Sequence, residues 1–271
     1  MQVTSAPHIV RGMSSAEYHA IDRLSASGTG DLLRSPAHYD CRRNATSEPS
    51  RAMRIGTAVH AMILEPEWAE RFLLRRPEGI DRRTKAGKAA WAEFEESVPE
   101  GGIVMDTAEW DTAANTALAV TLNEPLRRAK LLQGEYEVSA FFDIDGCPAK
   151  CRFDIVAERG FVVDLKTTQD ASQFERSVVK WGYHRQAALY QMGAAAVGVE
   201  CKAFIFVVVE TAAPYGIRVV TLDSDALIQG EREVHRAAKL YRECVETGEW
   251  PGYSSDLQTV SLPLWALDQE D

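Results

Sequence analysis

Two short segments near the middle of the chain decide its fold. They are residues 151–156, CRFDIV, and residues 161–168, FVVDLKTT, with a polar break at residues 158–160 between them. Both segments are rich in β-branched and aromatic residues, and the break contains a glycine. Together they predict a β-hairpin.

The charged residues near the end of the second strand are unusual in such an apolar run. Because side chains alternate between the faces of a strand, we expect Asp164 and Lys166 on one face and Val163 and Leu165 on the other. Charges there are costly unless they are paired or bind something. If Asp154 lies opposite, two carboxylates and an amine converge, a layout suited to a divalent cation and a water beside a phosphodiester. The alternatives are a solvated Asp154 and a structural ion pair between Asp164 and Lys166.

The composition is that of an ordinary globular protein: 271 residues, 45% hydrophobic and 26% charged. We expect one domain over residues 1–271, with a core at about 18–253 and irregular ends at 1–17 and 254–271. No apolar run approaches the roughly 20 residues of a membrane helix, and the N-terminus does not resemble a signal peptide. Five cysteines in such a chain favour reduced thiols, so we expect a cytoplasmic protein without membrane contact.

The net charge of −10 argues against indiscriminate nucleic-acid binding, but it does not exclude a local basic surface. Residues 71–88 hold seven basic side chains against two acidic ones, a net charge of +5 inside an acidic protein. One interpretation is a solvated surface, and the other is a patch that contacts phosphates.

Hydrophobic periodicity predicts helices in the first half of the chain and strands after residue 134. The predicted helices are 15–20, 27–33, 52–64, 85–96, 106–122, 124–132, 183–197 and 223–247, and the predicted strands are 135–143, 151–156, 161–168, 203–209 and 217–222. This order predicts an α/β domain: a mixed sheet with helices on both sides and a helical N-terminal portion.

Three further residues stand at suggestive positions. His60 lies on the predicted helix 52–64 among small residues, although a lone histidine is commonly a satisfied core residue. Gln186 and Tyr190 are spaced i, i+4 on the helix after Lys166 and therefore share a face. Tyr190 could simply pack in the core, whereas a glutamine on a buried face has no such explanation.

In this order, the residues resemble the RecB-like branch of the PD-(D/E)xK nuclease superfamily, which has a restriction-endonuclease-like sheet flanked by helices. The matching residues are His60, Asp154, Asp164-Leu165-Lys166 and Gln186/Tyr190. From about Tyr18 to Tyr253 the chain is also similar to the nuclease domain of RecE-type exonucleases (exonuclease VIII) of phages and prophages. Segments such as 56–66, GTAVHAMILEP, carry that similarity.

The resemblance implies a role for each site residue. Asp154, Asp164 and the Leu165 carbonyl are expected to coordinate Mg²⁺, with Mn²⁺ as a substitute, and His60 is expected to complete the shell. Lys166 would orient or help deprotonate the attacking water and stabilise the transition state. Gln186 would position Lys166 or the phosphate, and Tyr190 would pack or contact substrate.

Outside this set, Glu135 or Glu137 could hold an outer-sphere water. The cysteines are scattered, so no iron–sulfur cluster is expected.

The resemblance also implies an activity and partners. The expected activity is digestion of linear double-stranded DNA from its 5′ ends, leaving 3′ single strands for recombination by a strand-annealing protein. A ring-shaped homo-oligomer, such as a trimer or tetramer, would let an acidic protein stay on DNA. The candidates for gripping DNA are Arg82, Arg83, Lys85 and Lys88.

Two rival interpretations remain open from the sequence. One is a structure-specific or restriction-type endonuclease of the same fold. The other is an inactive protein that binds DNA ends, although a pure binder has no need for the Asp154, Asp164 and Lys166 set.

Overall fold

The computed structural model describes residues 6–45 and 48–262. Within them the helices are α1 (Ser15–Ala20), α2 (Ala26–Arg34), α3 (Pro36–Arg43), α4 (Arg51–Leu64), α5 (Pro66–Phe72), α6 (Lys85–Ser97), α7 (Thr107–Thr121), α8 (Glu124–Ala129), α9 (Phe174–Trp181), α10 (Tyr183–Val197) and α11 (Ser224–Thr247). The strands are β1 (His8–Val10), β2 (Leu73–Arg75), β3 (Ile103–Met105), β4 (Gly134–Ile144), β5 (Cys147–Ala157), β6 (Phe161–Thr168), β7 (Ala203–Glu210) and β8 (Ile217–Val220).

The main sheet has six strands in the order β1-β4-β5-β6-β7-β8. Only β6 and β7 run parallel, and the chain crosses between them through α9 and α10; every other neighbouring pair is antiparallel. β4 and β5 form a long hairpin that turns at Asp145-Gly146, where both residues have positive φ as a type I′ turn requires. A separate parallel pair joins β2 and β3.

Helices cover both faces of the sheet. On one face, large side chains such as Phe153, Phe204 and Phe206 pack against residues of α2, α10 and α11. On the other face, Val163 and Leu165 pack with residues from the ends of α4, α7 and α8. A third cluster joins α4, α5 and α7 to β2 and β3. The alternation of β6 therefore places Val163 and Leu165 under α4, and Asp164 and Lys166 on the face of α10.

The predicted fold class is confirmed: the protein has a mixed, mostly antiparallel sheet flanked by helices. Most predicted elements are present within one to three residues of their expected bounds. β1 lies in the stretch expected to be irregular, and the strand is only three residues long at the sheet edge, too short for a periodic signal. The expected ends lie partly outside the described residues.

Pro36 begins α3, a helix that the hydrophobic periodicity does not predict. Proline suits the first turn of a helix, where its missing N–H is not needed, and the Ser35 hydroxyl caps the same end. Pro66 begins α5 in the same way. None of the described helices is long and apolar enough to cross a membrane.

Candidate active site

The β5–β6 hairpin opens at the predicted carboxylates. Its last paired residues on that side are Ile155 and Val163, so the ladder stops just before Asp154 and Asp164 face each other. The Leu165 N–H donates instead to Asp154 Oδ2, at 2.8 Å. The strands therefore separate where the two carboxylates meet.

His60 reaches this opening from α4. A Cβ at Gly56 would lie 3.3 Å from Thr167 Oγ1, so the small residue allows α4 to pack closely on β6. His60 Nε2 lies 2.9 Å from the Leu165 carbonyl oxygen, and Nδ1 lies 3.6 Å from Asp154 Oδ2. The side chain is 29% exposed, so His60 is a residue of the opening and not of the apolar core.

Asp164 is the most buried charged group of the site, with 1% exposure. Its Oδ2 accepts a hydrogen bond from Lys166 Nζ, and its Oδ1 accepts one from Gln186 Nε2 at 2.5 Å. Lys166 Nζ also lies 5.0 Å from the centre of the Tyr183 ring. Gln186 thus positions the carboxylate that holds Lys166, which refines its expected role.

Tyr190 packs in the core on the side of α10. Its ring makes edge-to-face contacts with Phe153 and Phe204, with ring centres 5.7 Å and 5.6 Å apart. Burial raises the pKa of its hydroxyl well above the usual range. The ring also lines a cleft beside Gln186, so Tyr190 both packs and borders the space where substrate would lie.

Glu137 belongs to the site although it was expected at most to hold an outer-sphere water. Its carboxylate, Asp154 and His60 offer ligand atoms within 4.8 Å of one another. The β4–β5 register pairs Tyr136 with Ile155 and Val138 with Phe153, which brings Glu137 opposite Asp154. Glu137 itself has a φ of 51°, an uncommon value for a residue with a side chain.

A sequence signal for Glu137 did exist. A two-residue turn at Asp145-Gly146 sets the register of the hairpin, and counting back from it places Glu137 across from Asp154. Glu135 falls outside the opening and pairs with Arg11 at 2.7 Å.

Behind Glu137 lies a buried arginine. Arg152 Nε is 2.5 Å from Glu137 Oε2, and Arg152 also lies 3.7 Å from Glu65. The buried Nε–H of Arg152 has no hydrogen-bond partner among the described residues, so its contact with Glu137 is an ion pair. Arg152 therefore stabilises the ionised form of Glu137 by charge.

Burial controls the electrostatics of the carboxylates. Desolvation raises the pKa of Glu137 to about 8, assisted by Asp154 and opposed by Arg152. Desolvation likewise raises the pKa of Asp164 to about 6, although Lys166 lowers it. Burial alone would lower the pKa of Lys166, but Asp164 and Asp154 outweigh it, so the amine stays charged. The metal-free site is therefore short of positive charge, a deficit that a divalent cation would fill.

These pKa shifts predict pH-dependent metal binding. Protons on Glu137 and Asp164 compete with a cation, so its affinity should rise as the pH increases through about 6 to about 8. We expect a rise of about tenfold per pH unit for each proton displaced. Calorimetric Mg²⁺ titrations at pH 6, 7 and 8 measure this rise in affinity. The Glu137→Gln variant should show a smaller change of affinity with pH. An affinity independent of pH in the wild type would contradict the assignment.

The donor set fits a hard divalent cation. Asp154 and Glu137 supply carboxylate oxygens and His60 an imidazole nitrogen, all within 4.8 Å of one another. The Leu165 carbonyl oxygen lies 2.9 Å from His60 Nε2, and both oxygens of Asp164 accept hydrogen bonds, from Lys166 and Gln186. Oxygen-rich sets of this kind suit Mg²⁺, and one imidazole is compatible with Mn²⁺. Of the sequence-predicted ligands, His60 and Asp154 are brought into one cluster, to which Glu137 is added, and the roles of Asp164 and Leu165 as ligands stay predictions.

The four residues expected to grip DNA lie elsewhere. Arg82 stacks on Trp91 at 4.3 Å, and Arg83 pairs with Asp81 at 2.9 Å. Lys85 and Lys88 are exposed on the first turn of α6, a helix whose residues are almost all exposed. None of the four lines either cleft beside the carboxylates, so their role in DNA binding stays a prediction.

Two clefts flank the site. A cleft of about 900 Å³ lies on the side of α10 and is bordered by Tyr183, Gln186 and Tyr190. A smaller one of about 420 Å³ lies on the other side, bordered by His60, Glu137 and Arg152. The carboxylate site is therefore reachable from two directions.

The fold and the Asp154, Asp164 and Lys166 centre define a nuclease-type domain of the PD-(D/E)xK superfamily. Residues 25–263 match the family model described as a PDDEXK-like domain of unknown function (DUF3799). Because this match covers most of the chain, the protein belongs to that family.

One solved structure is similar to this protein over nearly the whole length of both chains. It is a crystal structure from Eubacterium rectale described as a "putative exonuclease", with a TM-score of 0.63, 16% sequence identity, and coverage of 94% of this chain and 97% of that one. At this identity the likeness concerns the fold. Comparison with curated proteins finds no significant match.

Proposed function

We propose that the protein is a metal-dependent exodeoxyribonuclease that digests linear double-stranded DNA, from 5′ to 3′, and leaves 3′ single strands for recombination by annealing. The observation that carries the proposal is the open end of the β5–β6 hairpin. There, Asp154 and Asp164 converge beside Lys166 and His60. Family membership supports nuclease chemistry, and the polarity rests on resemblance to RecE-type exonucleases.

The residues have distinct tasks in this proposal. Asp154, Asp164, Glu137, the Leu165 carbonyl and His60 would hold Mg²⁺, or Mn²⁺ in its place. The cation supplies positive charge beside the scissile phosphate and makes a nearby water easier to deprotonate. Lys166 holds a proton-bearing amine beside Asp164, where it can orient the attacking water and stabilise charge on the phosphate.

Gln186 keeps this arrangement in place by its hydrogen bond to Asp164 Oδ1. Since Asp164 then has one oxygen turned to Gln186 and the other to Lys166, the amine cannot swing away without breaking an ion pair. Preorganisation of this kind is what electrostatic catalysis needs.

The proposed partners are double-stranded DNA ends, a single-strand annealing protein and further copies of the same chain in a ring. The net charge of −10 supports a ring, because an acidic protein that encloses its DNA substrate stays bound without a basic outer surface. A positively lined interior could hold DNA without a basic outer surface.

Digestion of labelled DNA tests the proposal. A linear duplex labelled at its 5′ end, one labelled at its 3′ end and a covalently closed circle are each incubated with the protein, with and without Mg²⁺. We expect early release of the 5′ label, late release of the 3′ label, an intact circle and no reaction without Mg²⁺. Cutting of the circle would indicate an endonuclease, and binding without hydrolysis would indicate an inactive end-binding protein.

The basic segment provides a separate prediction. If residues 82–88 contact phosphates, the double variant Arg83→Ala, Lys88→Ala should bind duplex DNA more weakly, with a salt slope lower by about two. Fluorescence anisotropy at several salt concentrations measures the slope. Arg159→Ala plus Lys202→Ala, which removes two charges at the β6–β7 end, is the control. An unchanged slope would assign Arg83 and Lys88 to the solvated surface.

A further inference from the structure

The larger cleft lies beside Asp164 and Lys166: neither of the two lines it, but two of its lining residues contact them. Gln186, on its floor, donates to Asp164, and Tyr183, beside it, has its ring 5.0 Å from Lys166 Nζ. A ligand that fills this cleft therefore lies against the two residues that contact Asp164 and Lys166. The cleft is about 900 Å³ in volume, a size typical of sites for small ligands or a few linked units.

The lining of this cleft is basic in an acidic protein. Three arginines line it against two carboxylates: Arg23, Arg42 and Arg43. Lys150 also lines it, but its buried amine donates to the backbone carbonyls of Tyr18 and Ile21. Arg42 is largely exposed and pairs only loosely with Asp31, at 3.3 Å. Arg43 is stacked on Trp250 at 4.4 Å and pairs with Asp40 at 2.9 Å and with Asp22 at 3.5 Å, contacts that fix its guanidinium at the cleft. Such groups can exchange a surface carboxylate for a phosphate.

The rim of the cleft carries an aromatic ring that the core does not use. Trp181, the last residue of α9, is 61% exposed, whereas Tyr183 two residues later packs against Phe174 and Phe206. Gly182 between them has a φ of 71°, and this turn directs one ring outwards and the other inwards. Lys180 Nζ lies 4.6 Å from the centre of the Trp181 ring.

We propose that this cleft binds a single DNA strand, with a base stacked on Trp181 and phosphates held by Arg42 and Arg43, and leads that strand to Lys166. A basic groove with an aromatic platform is the arrangement by which proteins hold single strands, since every base can stack and every link is charged. The inference rests on the proposed function and assigns the strand path to this cleft, away from residues 82–88.

The test measures binding apart from activity. A fluorescein-labelled oligothymidylate is titrated with the full-length Lys166→Ala protein in EDTA, and anisotropy gives the affinity. In this background Trp181→Ala should bind about tenfold more weakly, and Trp181→Phe should restore part of the loss. Val179→Ala, at another exposed apolar residue of α9, is the matched control and should bind normally.

Arg42→Ala should lower the salt slope by about one, because it removes one phosphate contact. A blunt duplex of the same length should bind at least about tenfold more weakly than the single strand. Equal binding of both, or normal binding by Trp181→Ala, would overturn the inference even if the wild type digests DNA. If Trp181 matters for binding and the wild type hydrolyses nothing, only the proposed function fails.

Discussion

Replacing Lys166 with alanine is expected to reduce DNA hydrolysis by a factor of about 10² to 10³ or more. The amine pairs with Asp164 and lies 5.0 Å from the centre of the Tyr183 ring, which borders the larger cleft. Without it, Asp164 remains buried with no cation, so its pKa should rise further and its value as a metal ligand should fall. Release of labelled nucleotides from linear duplex DNA with Mg²⁺ measures the effect.

Lys202→Ala is the control for this experiment, since Lys202 is an exposed lysine paired with Glu200 at 3.2 Å. It should digest DNA at the wild-type rate. Circular dichroism and thermal unfolding establish that the Lys166→Ala protein is folded. Near wild-type digestion by the folded variant would remove Lys166 from the mechanism and leave a structural ion pair as its explanation.

Glu137→Gln is expected to weaken divalent cation binding by a factor of about 10 to 100. The substitution keeps the size of the side chain but removes one of the carboxylates that face the opening. Burial raises the pKa of Glu137 to about 8, so keeping its carboxylate charged costs the folded protein stability. A glutamine at this position avoids that cost. The metal-free variant should thus be at least as stable as the wild type at pH 8, and should gain less stability from Mg²⁺.

Glu135→Gln is the matched control, because Glu135 lies on the same strand but pairs with Arg11 away from the opening. Calorimetry gives the affinities, and thermal unfolding with and without Mg²⁺ gives the stabilities. Equal Mg²⁺ affinity in Glu137→Gln and wild type would show that Glu137 pairs with Arg152 and does not bind the metal.

Much of the site was predictable because its signals are local. Asp164 and Lys166 are two residues apart on one strand, so their common face follows from the geometry of a strand. The i, i+4 spacing of Gln186 and Tyr190 fixes their common face on α10 in the same way. The fold class, a mixed sheet flanked by helices, followed from the spacing of the hydrophobic residues. Tertiary packing changed the bounds of individual elements.

The remainder depends on contacts that are distant in sequence. Predicting the position of Glu137 requires the register of the whole β4–β5 hairpin. Predicting the burial of Arg152 requires knowing which face of the strand is buried. A cluster of basic residues in the sequence does not say which surface it occupies, and residues 82–88 lie apart from both clefts. Arg42 and Arg43 lie on α3 and Trp181 on α9, so only the folded chain brings the basic and aromatic residues to one cleft.

Anomalous diffraction from crystals containing Mn²⁺ tests the metal centre most directly. We expect a peak at the open end of the β5–β6 hairpin, at about 2.0–2.3 Å from oxygens of Asp154, Asp164 and Leu165. The same peak should be absent or much weaker in Asp154→Asn crystals. No peak there at millimolar Mn²⁺, or a peak only at other carboxylates, would contradict a metal-dependent nuclease centre in this protein.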